Sequence, residues 1–182
     1  SRIIRQAYYE HPDYVPLVRR AYEGWHDLEM ARGETLLVGS PCLSFGPPGC
    51  ELVDGIRASA ALHGLEVEDL TASEAMRRWP AFRLPEGVDC VLERTAGILA
   101  VDRCVRAMQE EARRLGAVLA EDERVVGWKA DGGVEVTTDK GTYRAARLVV
   151  TAGPGASPLL PGLPLTVMRQ TAFWFQGRDP SL

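Results

Sequence analysis

At residue 117 the spacing of apolar side chains changes from helical to two, and one layer of one element type cannot satisfy both periods. Before the change, Val101, Cys104, Val105, Met108, Ala112 and Leu115 share one stripe of a helix that Gly116 ends. Arg103, Arg106, Glu110 and Arg113 lie mainly on its other side, and Asp102 is the expected cap. After the change, Val118 and Leu119 read as one strand, residues 124–129 as another, and Val134, Val136 and Thr138 alternate on the return. Asp131-Gly132-Gly133 and Asp139-Lys140-Gly141 are the turns, the second leading into 142–144, so the segment is a β-meander. The apolar run 147–151 reads as a buried strand that Gly153, Pro154 and Gly155 end. After a Pro-rich crossover, 167–175 is the last expected strand.

The first hundred residues mix both periods. Asp13 is a candidate N-cap for a helix on which Val15, Val18, Tyr22 and Trp25 recur, ending near residue 31 with Gly33 as a left-handed stop. Residues 36–38 and 42–45 read as a strand pair around Gly39-Ser40-Pro41. Leu52, Ile56, Ser59, Ala60 and His63 predict a helix closed by Gly64. A strand over 66–70, a short helix over 73–79 stopped by Pro80, and a strand over 88–93 follow. The expected class is α/β or α+β, with no repeat, low-complexity tract or obvious linker.

Composition excludes several roles. Hydrophobic residues are 46% and charged residues 25% of 182, the balance of a globular protein with a real core. A net charge of -4 without a basic block points away from nucleic acid. Apolar runs such as 148–150 are far too short for a transmembrane helix, and no signal or lipidation motif is visible. The chain begins at Ser1 without a methionine, so its true start is expected to lie upstream. Cys42, Cys50, Cys90 and Cys104 form no C-x-x-C pair or zinc pattern, and are read as the reduced thiols of a cytoplasmic protein.

The common catalytic signatures, H-E-x-x-H, G-x-S-x-G and the P-loop, are absent. His11, His26 and His63 are scattered and read as surface or packing residues; Glu110 and Glu111, adjacent on a helix, do not face each other. Glycines after a buried strand can let backbone approach a phosphate or a ring, but Gly153-Pro154-Gly155-Ala156-Ser157 has Pro158 where G-x-G-x-x-G needs its third glycine. Its residues alone read more readily as a plain turn. Arg2 and Arg5, three apart, are either solvated charges or a joint anion site, since a guanidinium fork matches a carboxylate.

In order along the chain, Arg2-Ile3-Ile4-Arg5-Gln6-Ala7-Tyr8, Tyr14-Val15-Pro16-Leu17, Arg78-Trp79-Pro80, Gly97-Ile98-Leu99 and Leu115-Gly116-Ala117 form a colinear set. Ala146 to Gly153 and Met168-Arg169-Gln170 extend it. Together they resemble the monomeric sarcosine oxidase and N-methyltryptophan oxidase group of the D-amino-acid-oxidase-like flavoenzymes. Their R-x-I-R-x-A-Y and R-[FW]-P segments, a G-x-L turn before the cap helix, and a strand returning to the flavin are the matching parts. The resemblance implies an internal segment of such an enzyme: a mixed sheet of the substrate domain plus a β-meander of the FAD domain, with an incomplete dinucleotide-binding fold. Expected sections are 1–35, after a missing FAD-binding start; 36–100, the first part of the substrate domain; 101–155, the cap helix, meander and returning strand; and 156–182, a crossover into further substrate domain.

The same resemblance implies that Arg2 and Ile3 lie against the isoalloxazine, with Arg2 helping to hold the reduced, anionic flavin, and that Arg5 binds the substrate carboxylate. Val125 is implied to meet the adenosine of FAD, and Thr151, Ala152 and Gly153 to approach the cofactor by backbone. A cation beside a flavin stabilises the negative charge of reduction, and a second cation orients an amino acid's C–H toward it. The parent is expected to oxidise an N-methyl or cyclic amino acid to an imine, passing electrons to oxygen and giving hydrogen peroxide. This chain alone is expected to be inactive and to lack FAD. Pro154 and Gly155 depart from the group's pattern, G-x-G-x-x-G is missing, and none of the four cysteines matches its flavin-attachment position. Two alternatives remain at this stage: a related flavin enzyme of the glycine oxidase, pipecolate oxidase or dehydrogenase type, and a non-enzymatic binding module. The expected partners are a small amino acid and oxygen, with neither nucleic acid nor membrane, and self-association of the isolated segment is expected.

Overall fold

A computed structural model of the chain describes residues 2–169 and 171–175. They form two compact units that meet in sequence at 117/118. In the first unit, strands β1 (Arg2–Ile4), β2 (Leu37–Gly39) and β6 (Gly97–Leu99) make one antiparallel sheet in the order β1-β6-β2. Strands β3 (Cys42–Gly46), β4 (Val67–Thr71) and β5 (Asp89–Glu93) make another in the order β3-β5-β4. Helices α1 (Tyr14–Arg32), α2 (Glu51–His63), α3 (Ala72–Arg78) and α4 (Val101–Arg114) pack around them.

The two sheets take their cores from different helices. Ile4, Leu36 and Leu99 bury against Cys104 and Ala107 of α4, with Val18, Tyr22, Trp25 and Leu28 of α1 closing over them. Strand β5 is buried on both faces, and its alternation divides its side chains. Cys90 and Leu92 join Leu70 and Ala75, whereas Val91 joins Val53 and Ile56 of α2 and Ala7 of the loop after β1. Glu93 shares the parity of Val91, and it is buried, with 5% of its surface exposed.

Local chemistry fixes the ends of these helices. α1 stops at Gly33 and α2 at Gly64, both in the left-handed conformation that glycine adopts without a Cβ clash. α3 begins with a capping box: the Thr71 hydroxyl accepts the Glu74 N–H, and the Glu74 carboxylate accepts the Thr71 N–H. Glu29, at the end of α1, accepts the N–H groups of Leu36 and Leu37 at 2.7 and 2.8 Å. Burial pushes its carboxyl up, but these two donors and His26 outweigh burial and hold it below the usual glutamate range.

The second unit is a meander of β7 (Val125–Ala130), β8 (Val134–Thr138) and β9 (Thr142–Ala145), in that order and antiparallel. A 3-10 turn (Gly153–Gly155) and α5 (Ala156–Leu159) follow. The Trp128 indole N–H donates to the Leu159 carbonyl at 2.9 Å, tying α5 to β7.

Several expectations are corrected. The segments 36–38 and 42–45 are strands but do not pair with each other: β2 joins β6 and β3 joins β5. Pro41, which has no N–H and a fixed φ, stands where the chain leaves one sheet for the other. Gly97-Ile98-Leu99 is the central strand of its sheet rather than a turn, and Arg2–Ile4 is a strand that the sequence reading did not assign. Asp102 lies within the first turn of α4, whose cap is Ala100; it favours the helix by charge near the N-terminus. Asp13 occupies the cap position of α1 without a side-chain capping bond. Residues 118–119, 147–151 and the described part of 167–175 are not strands, and Val149 is 82% exposed. An apolar run becomes a strand only through a ladder partner, and no described strand flanks these. Gln170, in the expected last strand, lies outside the described residues.

Candidate functional site

The irregular loop that follows β1 carries Arg5, and its backbone is held by side chains from three other elements. The hydroxyl of Tyr22 on α1 shares its one proton between the carbonyl of Thr95 at 2.9 Å and that of Ile4 at 3.3 Å. Glu93, at the end of β5, accepts the Gln6 N–H on Oε1 at 2.6 Å and the Ala7 N–H on Oε2 at 3.0 Å, and the Thr95 hydroxyl also donates to Oε1. Ser59, fully buried on α2, donates its hydroxyl to the Tyr8 carbonyl. Gly55 completes the contact: a Cβ there would stand 2.3 Å from the Tyr9 carbonyl oxygen, so only glycine lets α2 come this close.

On this backbone the Arg5 guanidinium lies 4.8 Å from the Tyr8 ring centroid and 5.7 Å from that of Tyr9. Its ion pair with Glu10 is long, 3.9 Å. The Nε is buried and without a hydrogen-bond partner among the described residues. The side chain as a whole is 23% exposed, so the guanidinium keeps donor capacity that an acceptor from a ligand could use. Cys42 stands nearby, its thiol pushed up by burial and drawn down by a Ser44 hydrogen bond and by the charge of Arg5. Burial, then the charge of Glu93, raises the Tyr22 hydroxyl well above the ordinary tyrosine value, so it remains a donor. Arg2 and Ile3 lie on β1, opposite Leu99 and Ile98 of β6, and Ile3 is 60% exposed.

In the second unit, Val125, Thr151 and Ala152 come together around one apolar cavity of about 200 Å³, with Trp128, Val136 and Leu159 among its other walls. Gly153 follows with φ +52, and a Cβ added to it would meet nothing within 4 Å. The seven site residues read from the sequence thus fall into two local groups, Arg2, Ile3 and Arg5 on or after β1, and Val125, Thr151, Ala152 and Gly153 around this cavity or beside it. Sequence reasoning missed Glu93 and Gly55 as site residues, and it took Tyr22 and Ser59 only as helix positions. The available signal was Glu93 itself, a carboxylate closing an apolar strand on the parity of Val91. Among the described residues no group of three or more His, Cys, Asp or Glu could hold a metal ion, and no helix is long and apolar enough to cross a membrane. All four cysteines are free.

The mixed α/β architecture thus holds an arginine beside β1 in its first unit and, in its second, an apolar slot beside a glycine turn. The chain belongs to the FAD dependent oxidoreductase family DAO, whose model matches residues 1–181. It is similar to N-methyl-L-tryptophan oxidase of Yersinia pestis (strain Pestoides F), 33% identical over 177 residues, 97% of this chain and 48% of that enzyme. Among solved structures it is similar to NikD, an unusual amino acid oxidase essential for nikkomycin biosynthesis, with a TM-score of 0.75 and 29% identity over 88% of this chain and 42% of that one. Glycine oxidase from Geobacillus kaustophilus shares the fold at a TM-score of 0.67 and 22% identity, over 86% of this chain and 45% of that one. The chain therefore spans about half the length of the relatives it matches.

The residues present suit parts of FAD. The cavity lined by Val125, Thr151 and Ala152 is apolar, the character the face of a ring needs, and the open Cα face of Gly153 permits close approach of a ligand to the backbone.

Proposed function

We propose that the parent protein is an FAD-dependent oxidase of the sarcosine oxidase kind, acting on an N-methyl or cyclic amino acid. The observation that carries this is Arg5, with its buried, unpartnered Nε on a loop held by Tyr22, Glu93 and Ser59. FAD, held in part by residues of this chain, would supply a two-electron acceptor for the hydride of the substrate C–H and a route for both electrons to oxygen as hydrogen peroxide, while the amine would lose its N–H proton to become an imine. Arg5 binds the substrate carboxylate and so fixes which C–H is presented. Arg2 and Ile3 contact the ring system, where the Arg2 cation favours negative charge on reduction. Val125, Thr151, Ala152 and Gly153 hold the nucleotide part. This chain supplies recognition and electrostatics, and on its own it is proposed to be inactive.

The test is Arg5→Met in the full-length protein, comparing an N-methyl amino acid with the matching N-methyl amine that lacks the carboxylate. Removing a charged hydrogen bond costs about 1.5–3 kcal/mol, so KM should rise roughly 10- to 150-fold for the amino acid only. Equal losses on both substrates would reduce Arg5 to a structural residue and remove the proposal's support.

A further inference from the structure

We infer that Glu93 and Tyr22 are positioning residues for Arg5, setting its backbone so that the guanidinium meets a substrate carboxylate; the inference rests on the proposed role of Arg5. Two peptide planes flank Arg5, and their orientations define its φ and ψ. The plane before it carries the Ile4 carbonyl, which accepts the Tyr22 hydroxyl. The plane after it carries the Gln6 N–H, which donates to Glu93 at 2.6 Å. Both torsions of one irregular residue are thus clamped by distant side chains, Tyr22 bonding Ile4 18 positions before it and Glu93 bonding Gln6 87 positions before it.

The choice of a carboxylate follows from the donors it meets. Gln6, Ala7 and Thr95 all present N–H or O–H groups, and Ala7 is fully buried. Only an ionised carboxylate offers two acceptor oxygens and no donor. A glutamine of the same shape would turn an NH₂ toward one of these donors and leave it unpaired. Neither Glu93 nor Tyr22 is placed against substrate or flavin in this reading, so each acts only through Arg5. Tyr8 and Tyr9, from the same loop, then direct the guanidinium itself.

The experiment uses the full-length, flavin-loaded protein and the variants Glu93→Gln, Glu93→Asp, Tyr22→Phe and Arg5→Met. Acetate, the simplest carboxylate probe, is titrated calorimetrically, and KM and kcat are measured for the amino acid and for its amine lacking the carboxylate. Glu93→Gln should weaken acetate and raise the amino-acid KM at least tenfold, roughly the loss of one charged hydrogen bond, with the amine changed by less than about twofold. Glu93→Asp, one methylene short, should not restore binding. Tyr22→Phe should give a several-fold loss of the same selectivity, and it decides the matter if Glu93→Gln does not fold. Selective loss in Arg5→Met without selective loss in the folded Glu93 or Tyr22 variants overturns the positioning role alone. Absence of selectivity in Arg5→Met overturns the reading of Arg5, and the positioning role with it.

Discussion

Besides forming ion pairs, several carboxylates in this chain accept backbone N–H groups. Glu93 and Glu29 both end an element and both satisfy N–H groups that would otherwise be orphaned at a chain crossing. For Glu29 the consequence is a pH dependence with a fixed sign. Its carboxyl is lowered in the folded state, so it stabilises the fold above the ordinary glutamate range and ceases to as pH falls through the lowered value. Glu29→Gln should therefore lower the Tm at neutral pH, and the gap to the parent should close below pH ~4, where unfolded glutamate protonates. Thermal melts across that range check it; a gap that persists or widens in acid contradicts the assignment. The motif around Arg2 and Arg5 was legible because its residues lie together in sequence. What holds Arg5 was not, because Tyr22, Ser59 and Glu93 reach it from separate elements, and periodicity describes faces rather than long-range hydrogen bonds.

Elements with their own stop signals and their own partners nearby were read almost as they stand. The helix α4, the Gly33 and Gly64 stops and the meander with its two turns all belong to this kind, although α4 buries Cys104 and Ala107 and leaves Val105, Met108 and Leu115 of the expected stripe exposed. Elements that depend on a distant partner were misread in both directions. β1 and β6 are too short to show a pattern, yet they pair across almost a hundred residues, whereas 147–151 shows a clear apolar run and has no described ladder. The helix α3 illustrates a local device that its pattern did not announce. Seven residues are too few to be stable by propensity, so the Thr71–Glu74 box carries much of its start. Thr71→Ala should cost about 1 kcal/mol, or roughly 4–8 °C in Tm if the first unit melts as one. Calorimetry measures it, and a change below about 0.3 kcal/mol would show that packing of Ala72 and Ala75 alone sets the helix.

At the scale of the whole chain, the exposed apolar surface is concentrated late in the sequence. Val149, Phe173, Trp174 and Phe175 are exposed by 82, 73, 68 and 90%, a density that an isolated polypeptide rarely tolerates in water. The 182-residue polypeptide, purified alone, is expected to self-associate and to carry no flavin, since its sequence holds no G-x-G-x-x-G cradle for a pyrophosphate. Size-exclusion chromatography with light scattering, monitored also at the flavin absorbance, reads both. A colourless, concentration-independent monomer contradicts the first expectation, and a stoichiometric yellow protein contradicts the second.

The clamp on Arg5 also sets a clock. During synthesis Arg5 leaves the ribosome 88 residues ahead of the carboxylate that fixes the next peptide plane. At roughly 5–20 residues per second, that interval is about 4–18 s. Until it has passed, the Arg5 loop lacks the Glu93 half of its clamp and β1 lacks its partner, because β6 emerges later still. If Arg5 binds a carboxylate as proposed, the loop that presents it is complete only once most of the first unit has been made.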